Sequence, residues 1–321
     1  MDILMLSGGL VLILVGANML TEGSSSVARR WGISDLVIGL TVVAFGTSAP
    51  ELIVSLLSAI EGSGELAIGN VVGSNIFNIL VIIGVTSMVR PIKVERSILT
   101  ADIPLVIVSA LALLAMGSGP WLGVSSPRDV DRIDGIILFL FFAIFMRYTF
   151  AQAKHVSQED TMAAKASEIP KDMPLWKAIL WIVFGLAGLI FGGDLFVDGA
   201  SGIARSLGVS EAIIGLTIVA AGTSPPELAT SIVSAVKGHP GMAVGNVIGS
   251  NIFNIFMILG LSSTVTPLKF GKIGEVDLLV LLAASLLFWL FGWFFRERTI
   301  TRAEGVLLTA CYIGYTVWLI V

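Results

Sequence analysis

Residues Gly39 to Asn78 read GLTVVAFGTSAPELIVSLLSAIEGSGELAIGNVVGSNIFN, and Gly215 to Asn254 read GLTIVAAGTSPPELATSIVSAVKGHPGMAVGNVIGSNIFN, at a constant offset of 176 (227 − 51) with no gap. An internal repeat of this kind means that the chain is built of two related halves. The register continues upstream, where Gly16, Gly23, Ala28, Arg29, Gly32 and Ser34 recur as Gly192, Gly199, Ala204, Arg205, Gly208 and Ser210. Each copy sets one carboxylate, Glu51 or Glu227, inside an otherwise apolar segment.

The surroundings of those acids fix the class. Hydrophobic residues make up 55% of the 321 and charged residues only 13%, with a mean hydropathy of +0.95. No water-soluble surface tolerates that balance, so the chain reads as a polytopic membrane protein. Apolar runs of membrane-spanning length, about 20 residues each, fall at Ile3 to Ala28, Leu36 to Ile60, Leu66 to Met88, Leu99 to Met116 and Ile133 to Ala151. A second set falls at Leu175 to Ala204, Ala212 to Val236, Met242 to Ser263, Val276 to Phe295 and Ala303 to Val321. The expected fold is therefore all-α, with ten transmembrane helices in two five-helix repeats, residues 1–153 and 175–321. Between them, residues 154–174 are polar and of mixed charge, as expected of a cytoplasmic linker that is a solvated loop or a short amphipathic helix.

Five spans per half is an odd number, so the second half enters the membrane from the opposite side and the repeats are inverted. With the amino terminus outside, the outer loops hold only Arg128, Arg132, Arg205, Lys269 and Lys272 of the 19 basic residues. The excess of Lys and Arg within selects that orientation, with both termini outside. The first apolar run lacks a basic leader and matches the start of the second half, so it reads as a retained span rather than a signal peptide. A net charge of −4 says little for a lipid-facing protein, and the single cysteine, Cys311, excludes an internal disulfide.

In GTSAPE and GTSPPE, Gly46 and Gly222 loosen the helix, while Pro50 and Pro226 remove a backbone donor and clash with the carbonyl four residues back. Carbonyls near Ala44, Gly46, Ala220 and Gly222 lose their usual partners, a state tolerated in a membrane only inside protein or beside a polar cavity. With Thr47, Ser48, Thr223, Ser224 and one carboxylate per copy, they form a set of hard oxygen ligands such as calcium and sodium take. The second motif, GNVVGSNIFN and GNVIGSNIFN, adds Ser74 with Asn78 and Ser250 with Asn254, each pair four apart on one helix face. Gly69, Gly73, Gly245 and Gly249 let that helix approach a neighbour. For these glycines and for Asn70, Asn75, Asn246 and Asn251, helix packing is an equally good account. A carboxylate inside a membrane costs on the order of 3 kcal/mol, so two at equivalent positions call for a function. Glu22, Asp198, Asp102 and Asp277 read as interfacial.

Taken together, GTSxPE followed by GNxxGSNIxN, twice in inverted halves, resembles the α-repeats of the sodium/calcium exchangers within the calcium/cation antiporter superfamily. The resemblance, to the prokaryotic type, implies that spans two, three, seven and eight form a fixed core around the ions. Spans one and six, long and tilted, would slide across it. It implies calcium between Glu51 and Glu227, with Thr47, Thr223, Ala44 and Ala220 giving backbone oxygen. Ser48, Ser74, Ser224, Ser250, Asn78 and Asn254 would complete sites used by sodium. Calcium, sodium and the lipid bilayer are then the expected partners, in a prokaryotic plasma membrane. No cofactor, catalytic residue or nucleic-acid partner is implied, nor the family's large cytoplasmic regulatory domain, and the oligomeric state stays open.

Because both ions need the same buried carboxylates, occupancy is competitive and the empty site resists occlusion. The family moves three sodium ions against one calcium, one net charge per cycle, so inward sodium drives calcium out. Potassium-dependent relatives in the superfamily resemble this chain but carry an Asp at the position equivalent to Asn254, where an added charge helps to hold the extra cation. With neutral amides at Asn78 and Asn254, the exchange expected here is electrogenic and independent of potassium. A proton-coupled calcium antiporter shares the fold, but that branch carries an Asn-Ala pair where this chain has Thr-Ser before the acid. Other readings are a cation channel, against which the broken inverted helices speak, and a non-transporting scaffold, which needs no paired acids.

Overall fold

The structure, a computed structural model, describes residues 1–118, 129–163, 173–207, 223–294 and 296–320. Among them, seven helices are long and apolar enough to cross a membrane, and an eighth span is broken into two helices. The chain is an all-helical membrane protein. Its helices are α1 (Asp2–Trp31), α2 (Asp35–Thr47), α3 (Ala49–Ile60), α4 (Gly64–Val89), α5 (Ile98–Gly117) and α6 (Arg132–Ala163), then α7 (Leu175–Ser206), α8 (Pro225–Val236), α9 (Pro240–Val265), α10 (Glu275–Phe294) and α11 (Arg302–Ile320). The expected second span is the broken one, α2 and α3. The expected seventh is represented by α8 alone, since residues 208–222 lie outside the described residues. Helix α6 continues to Ala163, past the expected start of the linker.

The chain forms two compact units. The first comprises Met1–Thr47 and Tyr148–Asn246, the second Ser48–Arg147 and Val247–Val321.

In the first unit, α1 and α7 pack along their lengths. At 30 and 32 residues they run to about 45 Å or more, against a hydrocarbon core of about 30 Å. Glycines set the spacing: a Cβ on Gly16 would lie 2.7 Å from the Gly185 carbonyl, and one on Gly9 2.7 Å from the Gly192 carbonyl. The residue numbers rise on one helix as they fall on the other, so α1 and α7 are antiparallel. Ile13, Ala17, Leu20 and Leu189 fill the seam with Ala178. Polar contacts then tie α1 to the turn after α8. Thr21 and Ser234 share a hydroxyl hydrogen bond of 3.0 Å, and Glu22 pairs with Lys237. Asp35, opening α2, meets His239 Nδ1 at 2.7 Å. Backbones also touch where α2 crosses α9, since a Cβ on Gly245 would meet the Leu36 carbonyl at 2.5 Å.

In the second unit, two short antiparallel ribbons join the loops between spans. β1 (Ile92–Lys93) pairs with β4 (Thr299–Ile300), and β2 (Asp129–Val130) with β3 (Leu268–Lys269). Helix α4 is π-helical over Asn78–Ile83, and α9 over Phe253–Leu259. Phe141 of α6 stacks on Phe256 of α9, and Phe77 meets Tyr312 edge to face. Among the described residues the expected close approach of a neighbour at Gly73 is not seen, since none of them lies within 4 Å of where its Cβ would be.

Candidate ion-binding site

In the first copy of the repeat the GTS turn interrupts a helix, and in both copies a new helix starts just after its serine. Helix α2 ends at Thr47, Ser48 has φ −84° and ψ 9°, and α3 starts at Ala49. In the second copy Ser224 has φ −98° and ψ 0° before α8 starts at Pro225. Both serines thus occupy the sparsely allowed bridge region between helix and strand. Pro50 and Pro226 fall in the first turn of the restarted helix, where a missing N–H breaks no intrahelical bond. Glu51 and Glu227 lie in that same turn, each only 1% exposed. The Ser-x-x-Glu spacing is that of a capping box, yet neither serine side chain caps its helix. The amino-terminal field of a helix favours a carboxylate there.

Two asparagines hold these turns. Asn70 Nδ2 donates to the Glu51 carbonyl (3.3 Å) and to Ser55 Oγ (3.0 Å). At the same offset, Asn246 Nδ2 donates to the Glu227 carbonyl (3.3 Å) and to Ser231 Oγ (3.1 Å). The halves differ in one respect. Thr47 Oγ1 donates to Asn246 Oδ1 at 3.1 Å, whereas Thr223 Oγ1 has no hydrogen-bond partner among the described residues.

A second set of amides joins α4 to α9 in the second unit. Asn75 Nδ2 donates to the Asn251 carbonyl at 3.1 Å, and Asn251 Nδ2 to the Asn75 carbonyl at 3.5 Å. Asn78 Nδ2 donates to Asn251 Oδ1 at 3.0 Å, and Asn254 Nδ2 to Asn75 Oδ1 at 2.9 Å. All four side chains are buried. Asn78 Oδ1, Asn254 Oδ1 and the neighbouring Ser250 Oγ have no hydrogen-bond partner among the described residues.

Of the residues singled out from the sequence, the first unit contains Ala44, Thr47, Thr223, Ser224 and Glu227, and the second Ser48, Glu51, Ser74, Asn78, Ser250 and Asn254. All but Thr223 are buried, and Ala220 lies outside the described residues. Among the described residues no three His, Cys, Asp or Glu side chains gather, so the motifs offer carboxylate, amide and hydroxyl oxygens, the donors of hard cations. Asn70, Asn75, Asn246 and Asn251, for which packing was an equally good account, prove to hold the motif residues in place. The signal for them was present in the sequence, since they recur at the motif's own offset.

The remaining acids separate. Asp198 is exposed on α7, as is Asp194, which no motif singles out. Asp277, at the start of α10, is buried against protein, its carboxylate accepting from the Gly274 N–H and the Tyr315 hydroxyl, both at 2.7 Å. Asp102, also expected at an interface, is 0% exposed. Both of its oxygens lack a hydrogen-bond partner among the described residues. It ends the π-helical first turn of α5, which Trp289 and Gly292 of α10 cover by closing on Leu99.

Comparison with known proteins agrees with this architecture. The family model described as sodium/calcium exchanger protein matches residues 1–151 and 177–321. The putative antiporter CaxA of Alkalimonas amylolytica is 39% identical over 312 residues, covering 96% of this chain and 95% of that protein. The sodium/calcium exchanger MaX1 of Methanosarcina acetivorans is 32% identical, covering 98% and 97%. A solved structure of the sodium-calcium exchanger NCX_Mj, soaked with sodium and calcium, superposes with a TM-score of 0.81 at 32% identity, covering 98% of this chain and 96% of that one. With its repeated motifs, its fold and its sequence in agreement over nearly the whole length, the chain belongs to the sodium/calcium exchanger family.

Proposed function

We propose that this protein is a secondary active antiporter that exchanges sodium for calcium by alternating access, and that Glu51 and Glu227 are its calcium ligands. The observation that carries the reading is the repetition of one local design. A helix starts just after a serine in the bridge region, a buried glutamate stands in its first turn, and an asparagine nineteen residues on ties down that glutamate's carbonyl. An acid in a membrane span costs on the order of 3 kcal/mol. Twice placing it in the first turn of a helix, beside hydroxyl and amide groups of the cation-binding kind, makes chemical sense if a cation offsets the charge.

Thr47, Thr223, Ser48, Ser224, Ser74, Ser250, Asn78 and Asn254, with the carbonyls of Ala44 and Ala220, complete the proposed ligand set for calcium and sodium. All are neutral, so the site's charge is that of the two glutamates. Three sodium ions against one calcium then leave one net charge moved per cycle.

Ten spans in inverted halves form part of the same proposal, and two features support them. The equivalent helices α1 and α7 run antiparallel, as inversion requires. Each ribbon also demands that its two loops share a membrane face. An even number of crossings must therefore separate Lys93 from Thr299, and Val130 from Leu268. Spans four to nine and five to eight of the ten-span count meet both conditions.

The deciding experiment is calcium uptake into proteoliposomes with and without an outward sodium gradient. Uptake driven by the sodium gradient carries the proposal. Uptake that responds only to a proton gradient would replace it with the proton-coupled antiporter, and flux indifferent to any counter-ion would point to a channel.

A further inference from the structure

Asn75 and Asn251 are not among the expected ion ligands, yet the hydrogen-bond directions at the junction of α4 and α9 pass through them. A backbone carbonyl can only accept, so the Asn251 carbonyl at 3.1 Å requires Asn75 to turn its NH2 toward it. That leaves Asn75 Oδ1 facing Asn254 at 2.9 Å, and an oxygen there can only accept. Asn254 must therefore present its own NH2 to Asn75, and its Oδ1 is turned the other way. The mirror sequence runs from the Asn75 carbonyl through Asn251 to Asn78. In this network each amide's orientation is dictated by the next, beginning from a group with no choice. The end products are two buried oxygens, Asn78 Oδ1 and Asn254 Oδ1, with no hydrogen-bond partner among the described residues. A buried acceptor left in that state is costly unless something takes it up.

We propose that Asn75 and Asn251 are positioning residues for ion exchange: each locks the site amide of the opposite repeat so that it shows oxygen, and never N–H, to the transported cation. This rests on the reading of Asn78 and Asn254 as ion ligands. Were either amide to turn over, a hard cation would meet a positive N–H dipole in place of an oxygen. Because the lock on each repeat's amide is supplied by the other repeat, the two oxygens are fixed together.

The test uses the full chain in proteoliposomes and in detergent, with Asn75→Ser, Asn254→Ala and the double variant, each titrated with calcium and with sodium. A serine hydroxyl is too short to meet both the Asn251 carbonyl and the Asn254 amide. The expected result for Asn75→Ser is a half-saturating calcium concentration raised about tenfold, the scale of one lost hydrogen bond, with the maximal rate nearly kept. Stabilisation of the folded protein by added calcium should shrink in parallel. Asn75→Ser should add little once Asn254→Ala is present, because it acts through that residue. Asn251→Ser with Asn78→Ala gives the equivalent reading from the other repeat if Asn75→Ser yields little folded protein. Effects of Asn75→Ser and Asn254→Ala that simply multiply, or a lower maximal rate at unchanged half-saturation, would overturn the positioning role and leave the exchanger reading standing. Wild-type half-saturation in both Asn78→Ala and Asn254→Ala would instead remove the ligand assignment on which the inference rests.

Discussion

Asn75 and Asn251 each donate a side-chain hydrogen bond to the other's backbone carbonyl, so that equivalent residues of the two repeats, 176 apart in the chain (251 − 75), serve as one another's partner. The repeat is therefore more than two copies of one design, since the amides of Asn75 and Asn251 are satisfied by the opposite copy. This mutual dependence makes Asn254 sensitive to a substitution that looks conservative. In Asn254→Asp the carboxylate cannot donate to Asn75 Oδ1 at 2.9 Å. Turning Asn75 over to donate would break its bond to the Asn251 carbonyl. The variant should lose about 1–3 kcal/mol in ion-free buffer, and it should gain more than wild type on adding calcium, because it brings one more negative charge to the cation. Thermal unfolding in chelator and in calcium measures both. An ion-free unfolding temperature equal to wild type would count against these hydrogen-bond directions.

The carboxylates themselves make the sharpest test of the ligand set. Glu51→Gln and Glu227→Gln keep shape and volume while removing one of the two charges proposed to offset a buried calcium. Each should reduce calcium exchange to near background, with folded protein recovered at close to the wild-type yield. Exchange at the wild-type rate in either variant would sink the assignment.

The spacing of α1 and α7 yields a prediction about packing. A methyl on Gly16 would lie 2.7 Å from the Gly185 carbonyl and 2.8 Å from the Leu189 nitrogen, backbone atoms that cannot swing aside. At Gly8, on the same helix, no described residue lies within 4 Å of an added Cβ. Gly16→Ala should therefore cost about 1–3 kcal/mol, the usual range for overpacking, and slow exchange, while Gly8→Ala should do neither. Thermal unfolding and transport of the two variants side by side decide the matter.

How far these features could be read from the sequence depends on the range of the interactions that make them. Helix positions were legible because an apolar run must be as long as the membrane is thick. The run starting at Leu175 and the helix starting at Leu175 coincide, and the break in the second span came from the local chemistry of GTSAPE. The π-helical turns at Asn78–Ile83 and Phe253–Leu259 left no local mark. The roles of Asn75 and Asn251 were half legible: their recurrence could be seen, but not that each would find the other. The burial of Asp102 was not legible for a similar reason. Its position near the start of an apolar run speaks for an interface, and only the closure of Trp289 and Gly292 on Leu99, nearly two hundred residues away, encloses it.

Topology can be tested by access. On a background with Cys311 replaced by Ser, Ser63→Cys lies in the exposed turn between α3 and α4, and His239→Cys in the turn between α8 and α9. If the halves are inverted with both termini outside, a membrane-impermeant thiol reagent should label the first from outside and the second only from inside. Labelling of both from one face would contradict the inversion.

The neutral amides at Asn78 and Asn254 bear finally on which ions the cycle needs. An amide oxygen ligates a cation without contributing net charge, unlike the Asp that potassium-dependent relatives carry at the position equivalent to Asn254. Here Asn254 also spends its NH2 on Asn75 at 2.9 Å, a bond that a carboxylate cannot make. At the proposed site two carboxylates would balance one calcium, with no further charge to offset a co-transported monovalent ion. Exchange should therefore proceed without potassium and carry net charge. Calcium uptake into sodium-loaded proteoliposomes, with choline replacing potassium on both sides, should match uptake in potassium. At the proposed stoichiometry three positive charges leave the vesicle as two enter, so each cycle exports one net positive charge. An interior made positive by a permeant-anion gradient should then speed calcium uptake, and an interior made negative should slow it. A requirement for potassium would overturn the reading of Asn254, and a rate indifferent to voltage would overturn the charge count.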